Sequence, residues 1–252
     1  MIDDALRKEI ESKIGKIKGN PASYDQRREL VKESLRSSGD IYSFWIENPD
    51  LRANLLLENR KPETVKKIAR KGIQAVHNAW YFLSRIGEHG GFAEALDENV
   101  VLSVNSLING NNKRSGAFRL KDVTLNFPDY TPPSWENVPG LTREAIQKVK
   151  QDYVDNPLES AIYAHLALAL IQPFREGNKR TARLIQDRLL WDACLPPVII
   201  PAGEGRFYLD LLERTSVPYR EGNDGGQGQF YDYIASKVNN GLDDILNDLD
   251  VH

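Results

Sequence analysis

Residues 171–183 read Ile-Gln-Pro-Phe-Arg-Glu-Gly-Asn-Lys-Arg-Thr-Ala-Arg, and this stretch separates two helical runs. An apolar, Ala/Leu-rich segment (160–171) enters it and a long helical pattern (179–194) leaves it. Pro173 ends the incoming helix, because it has no N–H and biases Gln172 away from the α region. Gly177-Asn178 is a turn pair that tolerates positive φ. The pattern therefore predicts a second helix from about Asn178, with Lys179, Arg180 and Arg183 in its first turn or so. Cations there oppose the helix macrodipole. They make sense if backbone N–H groups and basic side chains together await an anion. Glu176 is the one acid in this basic loop, and a carboxylate beside a phosphate-sized anion is a natural Mg²⁺ ligand. The charges alone fit equally a solvated helix start with its basic side chains in water.

The same stretch resembles the signature loop of the Fic/Doc family, HPFx(D/E)GN(G/K)RxxR. Pro173, Phe174, Glu176, Gly177, Asn178, Arg180 and Arg183 stand where the pattern wants them. Lys179 replaces the commoner Gly, as in the Doc branch, and Gln172 takes the place of the family's catalytic His. The resemblance implies an all-α fold, a helical bundle with a small β-hairpin flap over the active-site loop. It also implies ATP and Mg²⁺ as cofactors and transfer of AMP onto a hydroxyl of a target protein. In that scheme Glu176 holds Mg²⁺, Gly177 and Asn178 form the anion cradle, Lys179 and Arg180 join the phosphate site, and Arg183 takes the γ-phosphate.

Gln172 decides what such a site does. A carboxamide has no group that titrates near neutral pH, whereas imidazole does. Loss of a general base costs ~10²–10⁴-fold, so the expectation is a protein that binds nucleotide and transfers it poorly. Two alternatives stay open: a regulatory pseudoenzyme that only binds nucleotide, and a Doc-like protein kinase that moves the γ-phosphoryl group, as in toxin–antitoxin systems. The target protein, an antitoxin partner and a homo-oligomer are not encoded in any feature of the sequence.

The chain has 252 residues, 40% of them hydrophobic, enough for one globular domain with an extension. Its 33 basic and 36 acidic residues give a net charge of −3, which suggests neither a nucleic-acid nor an anionic-membrane partner. A single cysteine, Cys194, excludes an internal disulfide framework and a Cys-based zinc site. No signal-like or membrane-spanning run stands out. The expected setting is cytoplasmic, with delivery into another cell left open.

Three regions are expected: an N-terminal helical extension (1–60), a Fic domain (61–240) and an acidic tail (241–252) that frays. In the extension, Leu6, Ile10, Ile14 and Ile17 keep helical spacing over 3–18, and a second helix is expected over 25–37. Residues 41–49 are expected to form a third, short helix closed by Pro49. Ser43, Glu47 and Asn48 fit the (S/T)xxxE(G/N) pattern of the family's inhibitory helix, whose Glu would pair with Arg183 and block the γ-phosphate site. An Arg–carboxylate pair is a sound lock, because it occupies the fork that otherwise grips phosphate. An ordinary aromatic staple of Phe44, Trp45 and Ile46 over the core would look similar.

Helices are expected over 62–86 and 99–107. Residues 115–125 have β character and resemble the flap, with Gly116, Phe118 and Arg119 aligning an extended target segment by strand addition. A proline-rich loop (128–139) then leads to a helix over 141–154. His165 lies two turns before Gln172, about 11 Å away, and reads as a buried structural histidine rather than a replacement base. After an extended stretch (195–201), a helix over 206–212 carries Tyr208, which on the resemblance lines the adenine side of the nucleotide site. Packing alone would also account for a tyrosine there. A flexible loop (222–228) and a last core helix (229–239) complete the expected domain.

Overall fold

The computed structural model describes residues 1–18, 20–39, 62–87, 91–110 and 115–250. The fold is all-α. Its helices are α1 (Asp4–Ile17), α2 (Pro21–Gly39), α3 (Pro62–Ser84), α4 (Phe92–Ala95), α5 (Glu98–Ile108) and α6 (Val138–Tyr153), followed by α7 (Pro157–Ile171), α8 (Asn178–Asp192), α9 (Gly205–Arg220) and α10 (Gly228–Asp250). Short 3₁₀ turns precede α9 and α10. The expected inhibitory helix, with Ser43, Glu47 and Asn48, lies outside the described residues.

The centre is the α7–α8 pair. From Ser160 to Ile171 nearly every side chain of α7 is buried, as expected for a helix that is apolar on all sides. Each fully buried Leu there, such as Leu166 and Leu170, contributes about 1.5–3 kcal/mol by leaving water. α8 is also enclosed, but it brings polar groups with it: Arg183, Gln186, Asp187 and Arg188 are all buried. Around this pair stand α5 and α3, whose inner faces are Val100, Val101, Val104 and Ile108, and Val76, Ala79 and Leu83. α6 packs along α7, while α9 and α10 close the other side.

Several helix C-termini are held by side chains from elsewhere in the chain. Arg188 donates to the carbonyls of Leu83 (3.0 Å) and Ile86 (2.9 Å) at the end of α3. Tyr130 Oη donates to Leu170 O at 3.0 Å, and Tyr153 Oη to Leu189 O at 2.6 Å. Arg27 of α2 reaches Trp191 O at 3.3 Å and lies 4.8 Å over the Trp191 ring. Three of these carbonyls also accept a local backbone N–H (Leu83 O from Ile86, Leu189 O from Ala193 and Trp191 O from Cys194), so there the side chains occupy a second acceptor position and tie the helix ends to other elements.

The structure corrects several boundaries. α2 starts at Pro21, four residues before the expected start at Asp25, because Pro is accepted at a first helical position. α6 starts at Val138 rather than 141, with Pro139 in its first turn for the same reason. α9 runs on past 212 to Arg220, with Pro218 only in its last turn. Residues 222–228 are not simply a flexible loop: Asn223 caps a 3₁₀ turn over Asp224–Gln227 by accepting from Gly226 N at 3.2 Å.

Residues 241–250 of the expected acidic tail are helical. α10 continues to Asp250 because Leu242 and Ile245 are fully buried. α1 packs along this helix; Lys13 of α1 pairs with Glu9 (2.7 Å) and Asp243 (2.6 Å), and Glu9 accepts from Asn239 at 2.8 Å. The N-terminal helix is thus part of the same packed body.

The expected β-hairpin flap does not form among the described residues, where 115–127 contain no strand. The physical reason is visible in the hydrogen bonds. Gly116 N donates to the Asn105 side chain at 3.2 Å, and Arg119 N donates to Pro173 O at 3.0 Å. These backbone groups serve the loop beneath them rather than a partner strand.

Candidate active site

The turn between α7 and α8 is built around Gln172 and Asn178. α7 ends with Gln172 in the left-handed region (φ 52°, ψ 58°), a conformation that is uncommon without a glycine. Its amide is held at both ends: Nε2 donates to Ala169 O, and Oε1 accepts from Asn178 Nδ2 at 2.8 Å. Asn178 also donates to Phe174 O (2.9 Å) and accepts from Phe174 N (2.8 Å). One asparagine therefore fixes both the side chain at 172 and the backbone at 174. Phe174 is buried and stacks on Phe118, with ring centroids 6.2 Å apart.

Arg119 clamps the loop from the side. It is 5% exposed, and its Nε donates to Gln172 O at 2.8 Å. Its other nitrogens reach Lys121 O at 3.0 Å and Pro133 O. The guanidinium, named above as part of a target-aligning flap, thus faces inward and ties residues 119–121 and the 133 region to the turn. Burial lowers its pKa, and the Asp122 carboxylate at 3.6 Å opposes that effect.

On the other side, α5 supplies two asparagines that the sequence reading did not single out. Asn105 Nδ2 donates to Glu176 O at 2.9 Å, and Asn109 Nδ2 donates to the same carbonyl at 3.3 Å. Gly177 (φ 79°) passes directly over them: a Cβ there would lie 3.0 Å from Asn109 Nδ2, so glycine answers both the dihedral and the space. Arg180 leans back onto α5, reaching Ile108 O at 3.4 Å and Asn109 Oδ1 at 3.3 Å. The signal for Asn105 lies in its position, on the apolar stripe of Val101, Val104 and Ile108, where a polar residue must find partners.

With the backbone of Glu176 held in this way, its side chain is exposed at the mouth of the loop beside exposed Arg175 and half-buried Lys179 and Arg180. The first turn of α8 has Gly177 at its N-cap and no side-chain cap, so the helix start itself offers backbone donors. Arg183, one turn on, is buried with its Cζ 6.0 Å from the Tyr208 ring centroid. The loop thus gathers Glu176, Gly177, Asn178, Lys179, Arg180 and Arg183 at one helix start.

Tyr208 is fully buried, and its hydroxyl meets His165 Nε2 at 2.8 Å. It packs behind Arg183 in the core. His165 is likewise inaccessible, with Nδ1 2.7 Å from Gln186 Oε1, which is the structural histidine that the sequence suggests. Burial pushes its pKa down to about 3; the Gln186 hydrogen bond opposes this, and the Arg183 charge adds to it. His165 is neutral at physiological pH, and both ring nitrogens are occupied.

No group of three or more His, Cys, Asp or Glu suited to a metal ion occurs among the described residues. Glu176 alone fits Mg²⁺ only in the mode where one carboxylate and phosphate oxygens share the ion. No helix among the described residues is long and apolar enough to cross a membrane.

Residues 95–190 match the Fic/DOC family model. The chain is 36% identical over 130 residues to a protein adenylyltransferase Fic from Aedes aegypti, covering 51% of this chain and 24% of that protein. It is 30% identical over 103 residues to protein adenylyltransferase fic-1 from Caenorhabditis elegans, covering 40% and 20%. These matches span about a quarter or less of the relatives' length. In overall fold it is similar to a Fic domain containing signaling protein from Bacteroides thetaiotaomicron (TM-score 0.72, 17% identity, 94% of each chain). It is also similar to Fic-1 (residues 134–508) from C. elegans, with TM-score 0.66, 20% identity and coverage of 98% of this chain and 73% of that one. The segment that matches the Fic/DOC family model is the one that holds Asn105, Arg119 and the whole 172–183 turn.

Proposed function

We propose that the 172–183 turn binds ATP with Mg²⁺, and that the chain is an AMP-transfer scaffold for hydroxyls of a target protein. In this reading the donors at the start of α8, with Lys179 and Arg180, hold the phosphates, and Arg183 grips the γ-phosphate. Glu176 would hold Mg²⁺, which offsets charge on the phosphates. Transfer would join a hydroxyl oxygen of the target to the α-phosphorus and release pyrophosphate. The hydroxyl proton needs an acceptor, and residue 172 is where the family places one.

The observation that carries the reading is the double anchorage of the Gln172 amide. It keeps the turn in shape without supplying a base, so binding survives while transfer falls by ~10²–10⁴-fold. The same anchorage favours a second reading, a regulatory pseudoenzyme in which the site only binds. A brake by Glu47 on Arg183 is a further part of the proposal, supported by the Ser43…Glu47-Asn48 pattern. Lys179 keeps γ-phosphoryl transfer as a third outcome.

Intact-mass spectrometry after incubation with ATP and Mg²⁺ separates these readings. Glu47→Gly alone is expected to stay unmodified, and Glu47→Gly with Gln172→His is expected to gain AMP. A phosphate adduct instead would indicate kinase chemistry. No adduct in either variant, with ATP still bound by calorimetry, selects the pseudoenzyme; no ATP binding overturns the nucleotide reading.

A further inference from the structure

Beneath Arg183 lies a buried chain of hydrogen bonds whose direction can be assigned. The Asp187 carboxylate only accepts, and it receives Val198 N (3.0 Å) and Gln186 Nε2 (3.4 Å). That orients the Gln186 amide, so its Oε1 accepts from His165 Nδ1–H at 2.7 Å. His165 Nε2 is then the unprotonated nitrogen, and the Tyr208 hydroxyl donates to it at 2.8 Å. The run Tyr208→His165→Gln186→Asp187 is polarised one way and ends on a charge, and all four side chains are at most 2% exposed. Such chains strengthen one another in a low dielectric and fix ring orientation. Phe230 of α10 packs edge-on against His165 at 5.5 Å, which closes the cage.

The other end of this run is the Tyr208 ring, which faces the Arg183 guanidinium at 6.0 Å, at the limit of a cation–π contact. The ring cannot turn away without breaking its bond to His165, and donation of the phenol proton leaves the ring richer in electrons. We propose that Tyr208, held by the His165–Gln186–Asp187 relay, is a positioning residue that aims Arg183, and so sets the preference of the site for a nucleotide triphosphate over a diphosphate. This rests on the proposed grip of Arg183 on the γ-phosphate. It gives Tyr208 and His165 a task at the phosphate end of the nucleotide, in place of a contact with the base.

The test is calorimetric Kd values for ATP and for ADP, with Mg²⁺, on the full chain carrying Glu47→Gly. Arg183→Gln is the reference and should abolish the preference for ATP. If it does not, Arg183 does not hold the γ-phosphate, and both that reading and the relay fall. With that control met, Tyr208→Leu is expected to cut the ATP/ADP ratio by about five- to tenfold, while ADP affinity moves less than about twofold. Tyr208→Phe and His165→Asn, which loosen the ring without removing it, should cut the ratio by about two- to threefold. A merely structural role would instead lower ATP and ADP affinity together, and that result overturns the proposal. Tyr208→Phe decides the case if the leucine variant does not fold: an unchanged ratio there also overturns it.

Discussion

Replacing Arg119 with alanine is expected to lower the stability of the protein by about 3–6 kcal/mol, the largest effect of any single substitution near the turn. The guanidinium is 5% exposed and serves the carbonyls of Gln172, Lys121 and Pro133. A hydrogen bond to a charged group contributes about 1.5–3 kcal/mol, and each buried carbonyl left unpaired adds a desolvation cost. The Asp122 carboxylate is largely in water, so its pairing with Arg119 adds little. For a chain of this size the loss corresponds to a fall of about 10 °C or more in Tm. Thermal unfolding followed by circular dichroism measures it. Arg119→Lys should recover only a minor part, since one ammonium cannot reproduce the planar fork. If the alanine variant melts within about 2 °C of the parent, the clamp is not a principal support of the turn.

Acid is expected to destabilise the protein through His165. The imidazole titrates near 6.5 when unfolded and near 3 when folded, because burial disfavours its charged form. The unfolded chain therefore takes up a proton before the folded one does. The stability present above pH 6.5 is lost as pH falls towards 3, at up to ~1.4 kcal/mol per pH unit. By pH 5 the loss from this residue reaches ~2 kcal/mol. Urea unfolding between pH 7 and pH 5 tests this against His165→Asn. The variant starts less stable, and its dependence on pH should be shallower by about one proton. Equal slopes would mean that His165 is reached by protons in the folded state.

Local physics made much of this molecule legible in its sequence. The break at Gln172-Pro173, the turn at Gly177-Asn178 and the helical periods on either side are properties of neighbouring residues, and the family pattern sits on that same short run. His165 could be read as structural because two helical turns keep it from the reacting position. Asn105, Asn109 and Tyr130 could not be found that way. Each acts on a backbone carbonyl 40 or more residues away, and a carbonyl leaves no mark in the sequence that names its partner. The hairpin expectation failed for a related reason. Residues 115–125 have the composition of a strand, but Asn105 and Pro173 take hydrogen bonds that a partner strand would need. The helix ends at 220 and 250 were missed because tertiary packing overrode a proline and acidic composition, and the start at 138 because Pro139 is accepted in a first helical turn.

The capping of helix C-termini by distant side chains has a dynamic consequence. In many proteins the last turn of a helix opens on its own, at little free-energy cost, and its amides exchange with solvent far faster than the core. Here the ends of α3, α7 and α8 are joined by Arg188, Tyr130, Tyr153 and Arg27 to helices and loops elsewhere in the chain. None of these turns can unwind without releasing a group in another element. Local opening of these ends therefore costs contacts in other elements as well, and their amides are expected to exchange at rates closer to those of the helix centres, the end of α7 that leads into Gln172 among them, which hydrogen–deuterium exchange measures.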